Sequence, residues 1–268
     1  MKNLLCAYFS RLWKEKMFWA AVIFMAAAGF FFTALHYCTH PESNYTPEEF
    51  CFNFYWLIGV GSAMVCCLFL GREFQDGGVR NKLIAGHSRW KVYLSSLMVN
   101  TAASVLLALG YFLTACLCGM PVFGGFVVSA GEVMLLILSC VLSVAVYASL
   151  FTMIQMLTGS RVISLVLCIL LALGLYLLAQ WVDGILYAPA LLFDGRPNPR
   201  YPGEGVHGFL EVLFEFLPSG QGMILSLYTL PYIPIQNIPY GLLPCYSGIL
   251  IAVTTGAGLL GFSKKRLH

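Results

Sequence analysis

Charged residues are scarce in this sequence, at 10% of 268 residues, whereas an ordinary soluble domain has about 25%. Hydrophobic residues make up 59% of the chain, and its mean hydropathy is +0.81. A water-soluble fold of this size needs more charge to cover its surface. The composition therefore argues against a soluble enzyme, a disordered chain or a nucleic-acid-binding module, and we expect no nucleic-acid partner.

Several motifs of site chemistry are also missing. The sequence has no GxxxxGK[ST] phosphate-binding loop, and no lysine follows a glycine, so the chain cannot hold ATP phosphates by that route. Although it has ten cysteines, it has no CxxC pair, which excludes zinc ribbons and dithiol redox motifs. We assign no catalytic residue, no metal site and no cofactor to this chain.

Long apolar runs are what the sequence does have. About 20 residues in a helix cross the hydrocarbon core of a bilayer, and a backbone in lipid must be helical to satisfy its polar groups. The sequence therefore predicts an all-α polytopic membrane protein, a single domain over residues 1–268 with six transmembrane helices. The six runs are Met17–Cys38, Phe52–Leu70, Val92–Leu117, Val133–Leu157, Val162–Val182 and Gly241–Phe262.

The distribution of basic residues predicts the orientation of these spans. With the N-terminus inside, the outer loops carry only Arg196 and Arg200, and the other 13 of the 15 basic residues lie inside. Lysine and arginine are retained on the cytoplasmic side of membrane proteins. We therefore expect both termini of this multi-pass protein to be cytoplasmic.

The N-terminal segment, residues 1–16, precedes the first span and has its own pattern. Leu5, Phe9, Leu12 and Trp13 fall on one helical face, and Asn3, Ser10 and Lys14 lie opposite. This pattern favours an amphipathic helix in the inner interface. The alternative is a simple extension of the first span.

Residues 209–230 are apolar enough to suggest a seventh span, but Glu211, Glu215 and the Pro218-Ser219-Gly220 break interrupt them. A seventh crossing would also move the basic C-terminal tail outside. We therefore expect an outer loop over residues 183–240. It should contain two short helices that lie on or dip into the outer leaflet and meet at a turn over Pro218, Ser219, Gly220 and Gln221.

Two further features have more than one interpretation. Cys38 and Cys51 both lie near the predicted outer surface, where the redox environment permits a disulfide between them. Gly248, Ala252 and Gly256 form a stripe of small residues along the last span. Such a stripe allows close helix packing, either within the chain or against a second chain.

The loop between spans two and three, residues 71–91, is the most informative segment. The positive-inside rule explains its basic residues, but it does not explain Glu73, Asp76 or the glycine spacing. A short charged helix near residues 79–85 suits docking onto a soluble partner. An ordinary basic inner loop is the alternative.

This loop resembles the corresponding loop of type-two ABC exporter permeases, in which an acidic residue ends span two and a glycine turn and a short coupling helix follow. The residues that carry the resemblance are Glu73, Gly77, Arg80, Lys82, Leu83, Gly86, Ser88 and Arg89. The segment Leu217-Pro218-Ser219-Gly220-Gln221 and the overall layout are also similar to that family. One departure is Gly78, where the family often has threonine.

The resemblance implies a half-transporter of a bacterial cell membrane that pairs with a second, identical or sister, permease chain. It also implies a separate ATPase subunit, which holds ATP and Mg, and export of a peptide, drug or lipid-like substrate. Glu73 and Asp76 would then meet basic groups of the ATPase, and Arg80, Lys82 and Arg89 its acidic groups.

Three other functions compete with this interpretation. A non-transporting membrane scaffold or immunity-type binding protein would have no ATPase partner. An intramembrane enzyme needs a polar catalytic cluster at depth, and an ion-coupled carrier needs ionisable residues at mid-membrane. The six apolar runs contain neither, which disfavours the last two.

Overall fold

A computed structural model of the chain describes residues 1–39, 50–126, 129–189, 196, 198–199, 201, 203–227 and 240–265. This part of the chain is helical and contains no strand. The helices are α1 (Lys2–Lys14), α2 (Lys16–Thr39), α3 (Tyr55–Gln75), α4 (Gly78–Ile84), α5 (Arg89–Phe123), α6 (Ala130–Thr158), α7 (Arg161–Leu186), α8 (Glu204–Phe216), α9 (Pro218–Leu227) and α10 (Leu243–Lys264), with a 3₁₀ turn at Tyr240–Leu242.

Six of these helices, α2, α3, α5, α6, α7 and α10, are long and apolar enough to cross a membrane. The predicted fold class of an all-helical, multi-pass membrane protein is confirmed at this level. Several helices extend beyond the apolar runs. The longest, α5, has 35 residues and rises about 52 Å, more than the hydrocarbon thickness of about 30 Å. Its ends therefore extend into the interfaces.

The spans alternate in direction, and contacts between distant segments place their ends. Nη1 of Arg72, near the end of α3, lies 2.6 Å from an Oε2 of Glu15, which precedes α2. Nζ of Lys265, after α10, donates to the carbonyl of Met156 near the end of α6 at 3.1 Å. We call the end of the bundle that holds α1, α4 and the end of α10 the basic end.

Helix α1 packs against the bundle through a different face from the predicted one. Leu4, Tyr8 and Leu12 are buried, whereas Phe9 and Trp13 are exposed. The expected grouping of Leu12 with Phe9 and Trp13 is therefore wrong. The helix has two apolar sides, because the face predicted for lipid remains free while a neighbouring face, one residue earlier in each turn, contacts α5.

Small residues allow close approach of α2 and α5. A Cβ at Gly29 would lie 2.5 Å from Oγ1 of Thr114 and 2.6 Å from the carbonyl oxygen of Tyr111. Thr114 in turn donates to the carbonyl of Ala26 at 2.9 Å, which ties the two helices together. Glycine is required at position 29 because a backbone atom of α5 occupies the space of a side chain.

The stripe of small residues in α10 has no packing partner at Gly248 or Gly256 among the residues that the structure describes, because none of them lies within 4 Å of a Cβ built there. Instead, Gly258 faces the ring of Tyr93, whose hydroxyl oxygen would be 2.0 Å from that Cβ. No described residue therefore packs closely against the side of α10 that carries Gly248.

We predict that Gly29→Ala destabilises the protein by about 1–3 kcal/mol, because the new methyl group overlaps a carbonyl that cannot rotate away. Thermal unfolding in detergent measures this change. Gly174→Ala is the matched control, since its Cβ would meet nothing within 4 Å. Equal melting temperatures for the two variants would contradict the close approach.

Candidate functional site

The loop that carries the resemblance is organised around a buried carboxylate. Glu73 lies in the last turn of α3, and its side chain is fully buried. One of its oxygens accepts a hydrogen bond from Nη1 of Arg11 in α1. The other accepts from Nζ of Lys82 in α4 at 2.5 Å. One carboxylate therefore connects α1, α3 and α4.

The surroundings of Lys82 complete this cluster. Its Nζ lies 3.5 Å from the centre of the Tyr8 ring, in cation–π geometry. Tyr8 OH accepts a hydrogen bond from Oγ of Ser96 in α5 at 3.1 Å. Burial lowers the pKa of Lys82, and the carboxylate of Glu73 opposes that shift. The Glu73 cluster, namely Glu73, Arg11, Lys82, Tyr8 and Ser96, thus joins four helices.

Two glycines at the turn from α3 into α4 allow the chain to form this cluster. Gly77 has φ of +67°, a left-handed conformation that favours glycine, and it turns the chain into α4. A Cβ at Gly78 would lie 2.7 Å from Oε2 of Glu73. Glycine at position 78, where type-two ABC permeases often have threonine, therefore leaves room for the buried carboxylate of Glu73. Gly86, with φ of +86°, follows α4.

Three of the residues expected to meet an ATPase have contacts within the chain. Glu73 is buried, and Lys82 binds it. The predicted loop also begins too early, since α3 continues as a helix to Gln75. This extension is what carries Glu73 into the protein instead of into a loop.

Arg89 is the third of these residues. Its Nη1 donates to the carbonyls of Phe262 and Lys265 at 2.9 and 2.5 Å. These carbonyls end α10, where the helix leaves acceptors unpaired and where a cation is favourable. Ser88 occupies the N-cap position of α5 with extended backbone. Arg89 therefore joins the start of α5 to the end of α10.

The surface that remains for a partner lies on the opposite side of α4. The side chain of Asp76 is 58% exposed, and Arg80 and Asn81 are also exposed. Ile84 is 74% exposed, although it is the most apolar residue of this face. We call Asp76, Arg80, Asn81 and Ile84 the α4 outer face. It combines charged and polar residues with an exposed isoleucine at the end of α4, a composition suited to protein docking.

Sequence reasoning missed Tyr8, Arg11 and Ile84. Tyr8 follows Leu4 and precedes Leu12 at intervals of four, a spacing that could have identified the buried face of α1. An isoleucine within a charged loop could likewise have suggested a contact surface. The pairing of Arg11 with Glu73 spans 62 positions and has no local signal.

The predicted outer turn, Pro218 to Gln221, is inserted into the bundle. Ser143 Oγ in α6 donates to the carbonyl of Pro218 at 3.1 Å, and Tyr147 OH hydrogen-bonds with Ser219 Oγ. Both partners lie well inside α6, more than ten residues from its start at Ala130. Helices α8 and α9 are separated only by Leu217, so they form a hairpin whose tip dips between the spans.

Gln221 holds the hairpin to α10. Its Oε1 accepts from Ser247 Oγ at 2.7 Å, and its Nε2 donates to the carbonyl of Glu215 at 2.9 Å. A Cβ at Gly220 would lie 2.1 Å from the carbonyl oxygen of Phe214, so only glycine permits the tight turn. The carbonyl of Pro218, the hydroxyl of Ser219 and Oε1 of Gln221 thus have partners in the spans, and such pairing allows a polar turn to insert.

The structure also shows which cysteine lies beside Cys51. Cys38 is an exposed free thiol, and Cys51 is buried. The Sγ of Cys51 lies 3.2 Å from the Sγ of Cys116 in α5. The predicted Cys38–Cys51 disulfide is therefore not formed, because Cys51 faces α5.

No protein-family model matches this chain, and no curated protein matches its sequence. The fold and the site define a multi-pass α-helical membrane protein with a short helix held at one end by a buried ion cluster.

We predict that Glu73→Gln destabilises the protein by about 3–5 kcal/mol, because it removes the buried charge that pairs with the partly buried Lys82 ammonium and with Arg11. Asp76→Asn is the matched control. Its carboxylate is exposed and 3.8 Å from Arg11, so the loss should be about 1 kcal/mol or less. Thermal unfolding in detergent and proteolysis between α3 and α4 measure both variants. Similar losses would contradict the burial of Glu73.

We also predict that oxidised glutathione cross-links Cys51 to Cys116, because their sulfur atoms are already in contact. The exchange forms the protein disulfide and releases two molecules of reduced glutathione. Peptide mass spectrometry after alkylation identifies the linked pair. Cys116→Ser should abolish the cross-link and Cys38→Ser should not. A Cys38–Cys51 peptide would contradict the structure.

Proposed function

We propose that this chain is the transmembrane permease subunit of an ATP-driven exporter, in the manner of type-two ABC permeases. It would lie in a bacterial cell membrane with both termini and the basic end in the cytoplasm. The observation that carries the proposal is the α4 outer face, an exposed docking surface on a short helix that is fixed to the spans. The resemblance in the same segment adds to it.

The Glu73 cluster gives this surface a mechanical connection. A force on α4 passes through Lys82 to Glu73, which is part of the spanning helix α3 itself. Helix α3 is the most enclosed span, with 61% of its apolar window buried against 22–50% in the others. Movement of α4 therefore moves the centre of the bundle, and α1 moves with it through Arg11.

The energy source is expected on a separate subunit. In the described spans, every acidic and basic side chain lies within four residues of a helix end, as Glu132 and Asp183 illustrate. Ion-coupled carriers need such groups at mid-membrane depth. ATP and Mg on a partner ATPase would supply the energy, while this chain would remain non-catalytic.

The proposal includes a second permease chain, identical or related, because a half-transporter of six spans encloses a pathway only as a pair. The open Gly248 side of α10 would permit close approach of another helix. At the other end, the α8–α9 hairpin would form part of the exit for a peptide, drug or lipid-like substrate.

We predict that Ile84→Asp and Arg80→Glu each reduce copurification of an ATP-hydrolysing subunit at least fivefold, because both side chains are exposed on the proposed docking surface. The measurement is ATPase activity and partner yield after mild-detergent purification of the tagged chain from its own host. Lys2→Glu is the control, since it changes an exposed charge at the basic end away from α4.

Unchanged copurification in both variants would indicate that the partner does not dock on α4. Absence of any nucleotide-binding partner in several detergents would favour the non-transporting scaffold or immunity-type protein. In either case, the thermal stability of Ile84→Asp must match that of the control, which is expected because Ile84 contributes little buried surface.

A further inference from the structure

A second charged feature of the basic end is separate from the α4 outer face. A cleft of about 220 Å³ opens where α1 ends, α2 begins and α3 ends, and it is lined by Arg11, Lys14, Glu15, Phe69 and Arg72. We propose that this cleft binds the phosphate of an anionic lipid headgroup. The proposal does not depend on the exporter function, since it needs only that the six helices span a bilayer.

The charge of the cleft favours an anion. Three of its side chains are cationic and Glu15 is its only acidic lining residue, while Arg11 also binds Glu73 outside the cleft. Glu15 uses a single nitrogen of Arg72, Nη1 at 2.6 Å, so the other N–H groups of that guanidinium remain as donors. Lys14 is exposed and has no ion-pair partner among the residues that the structure describes. A phosphate oxygen would supply the missing counter-charge.

The depth of the cleft in the membrane favours a lipid over a soluble anion. Trp13 and Trp19 flank the same α1–α2 junction, with their rings 5.1 Å apart and the indole N–H of Trp19 donating to the carbonyl of Trp13 at 2.9 Å. Both rings are more than a third exposed. Exposed tryptophans are typical of the headgroup level.

The walls of the cleft suit an amphipathic ligand. Phe69 lies one turn before Arg72 in α3, toward the middle of the span, and it gives the cleft an apolar side. A lipid whose phosphate contacts Lys14 and Arg72 would therefore direct its acyl chains along α3 and α2, in the plane where the neighbouring lipids lie. A soluble phosphate has no apolar part that could contact this wall.

The test is native mass spectrometry of the full-length protein in detergent, titrated with phosphatidylglycerol or phosphatidylcholine of the same acyl chains. We expect tighter binding of one phosphatidylglycerol molecule. Lys14→Gln should weaken that binding about fivefold, the effect of about one basic residue at a membrane surface. Lys2→Gln, an exposed lysine at the other end of α1, should leave it unchanged.

Three results would overturn the proposal. Equal binding of the two lipids would remove the preference for an anion. Equal weakening by Lys14→Gln and Lys2→Gln would indicate general charge attraction instead of a site. Displacement of the lipid by millimolar inorganic phosphate, with loss of that displacement in Lys14→Gln, would assign the cleft to a soluble anion. Unchanged melting temperatures confirm that both variants are folded.

Discussion

A carboxylate removed from water needs counter-charges within hydrogen-bonding distance, and this constraint organises the basic end of the bundle. Glu73 is carried into the protein by the last turn of α3, so Arg11 and Lys82 must reach it from α1 and α4. Those two contacts act together with the buried apolar residues of α1 and α4 to fix the positions of both helices. The outer face of α4 is consequently held in one orientation, which a docking surface requires.

The sequence was sufficient for the class of fold and for the number of spans, because the length of an apolar run and the thickness of a bilayer are simple physical quantities. It also placed the short helix between α3 and α5 within one residue, since Gly77 and Gly86 interrupt the chain on both sides. The pattern around Pro218 predicted two short helices there, and the structure has α8 and α9.

The side chains that bind at the site could not be assigned in the same way. A charge in a loop is expected to face water, and only the continuation of α3 beyond Gly71 turns Glu73 inward. The partners of Gln221 and Cys51 lie on other helices, so no local spacing predicts them. For α1, hydrophobic periodicity predicted an amphipathic helix, but a helix with two apolar sides gives no indication of which one contacts protein.

We propose that this protein meets a soluble partner at the α4 outer face, whose most exposed apolar residue is Ile84. A photo-cross-linking amino acid at position 84, activated in living cells, tests this claim most directly. The account predicts a covalent adduct with a nucleotide-binding protein, identified by mass spectrometry. An adduct with lipid alone would contradict it, because α4 would then lie in the bilayer and could not receive force from an ATPase.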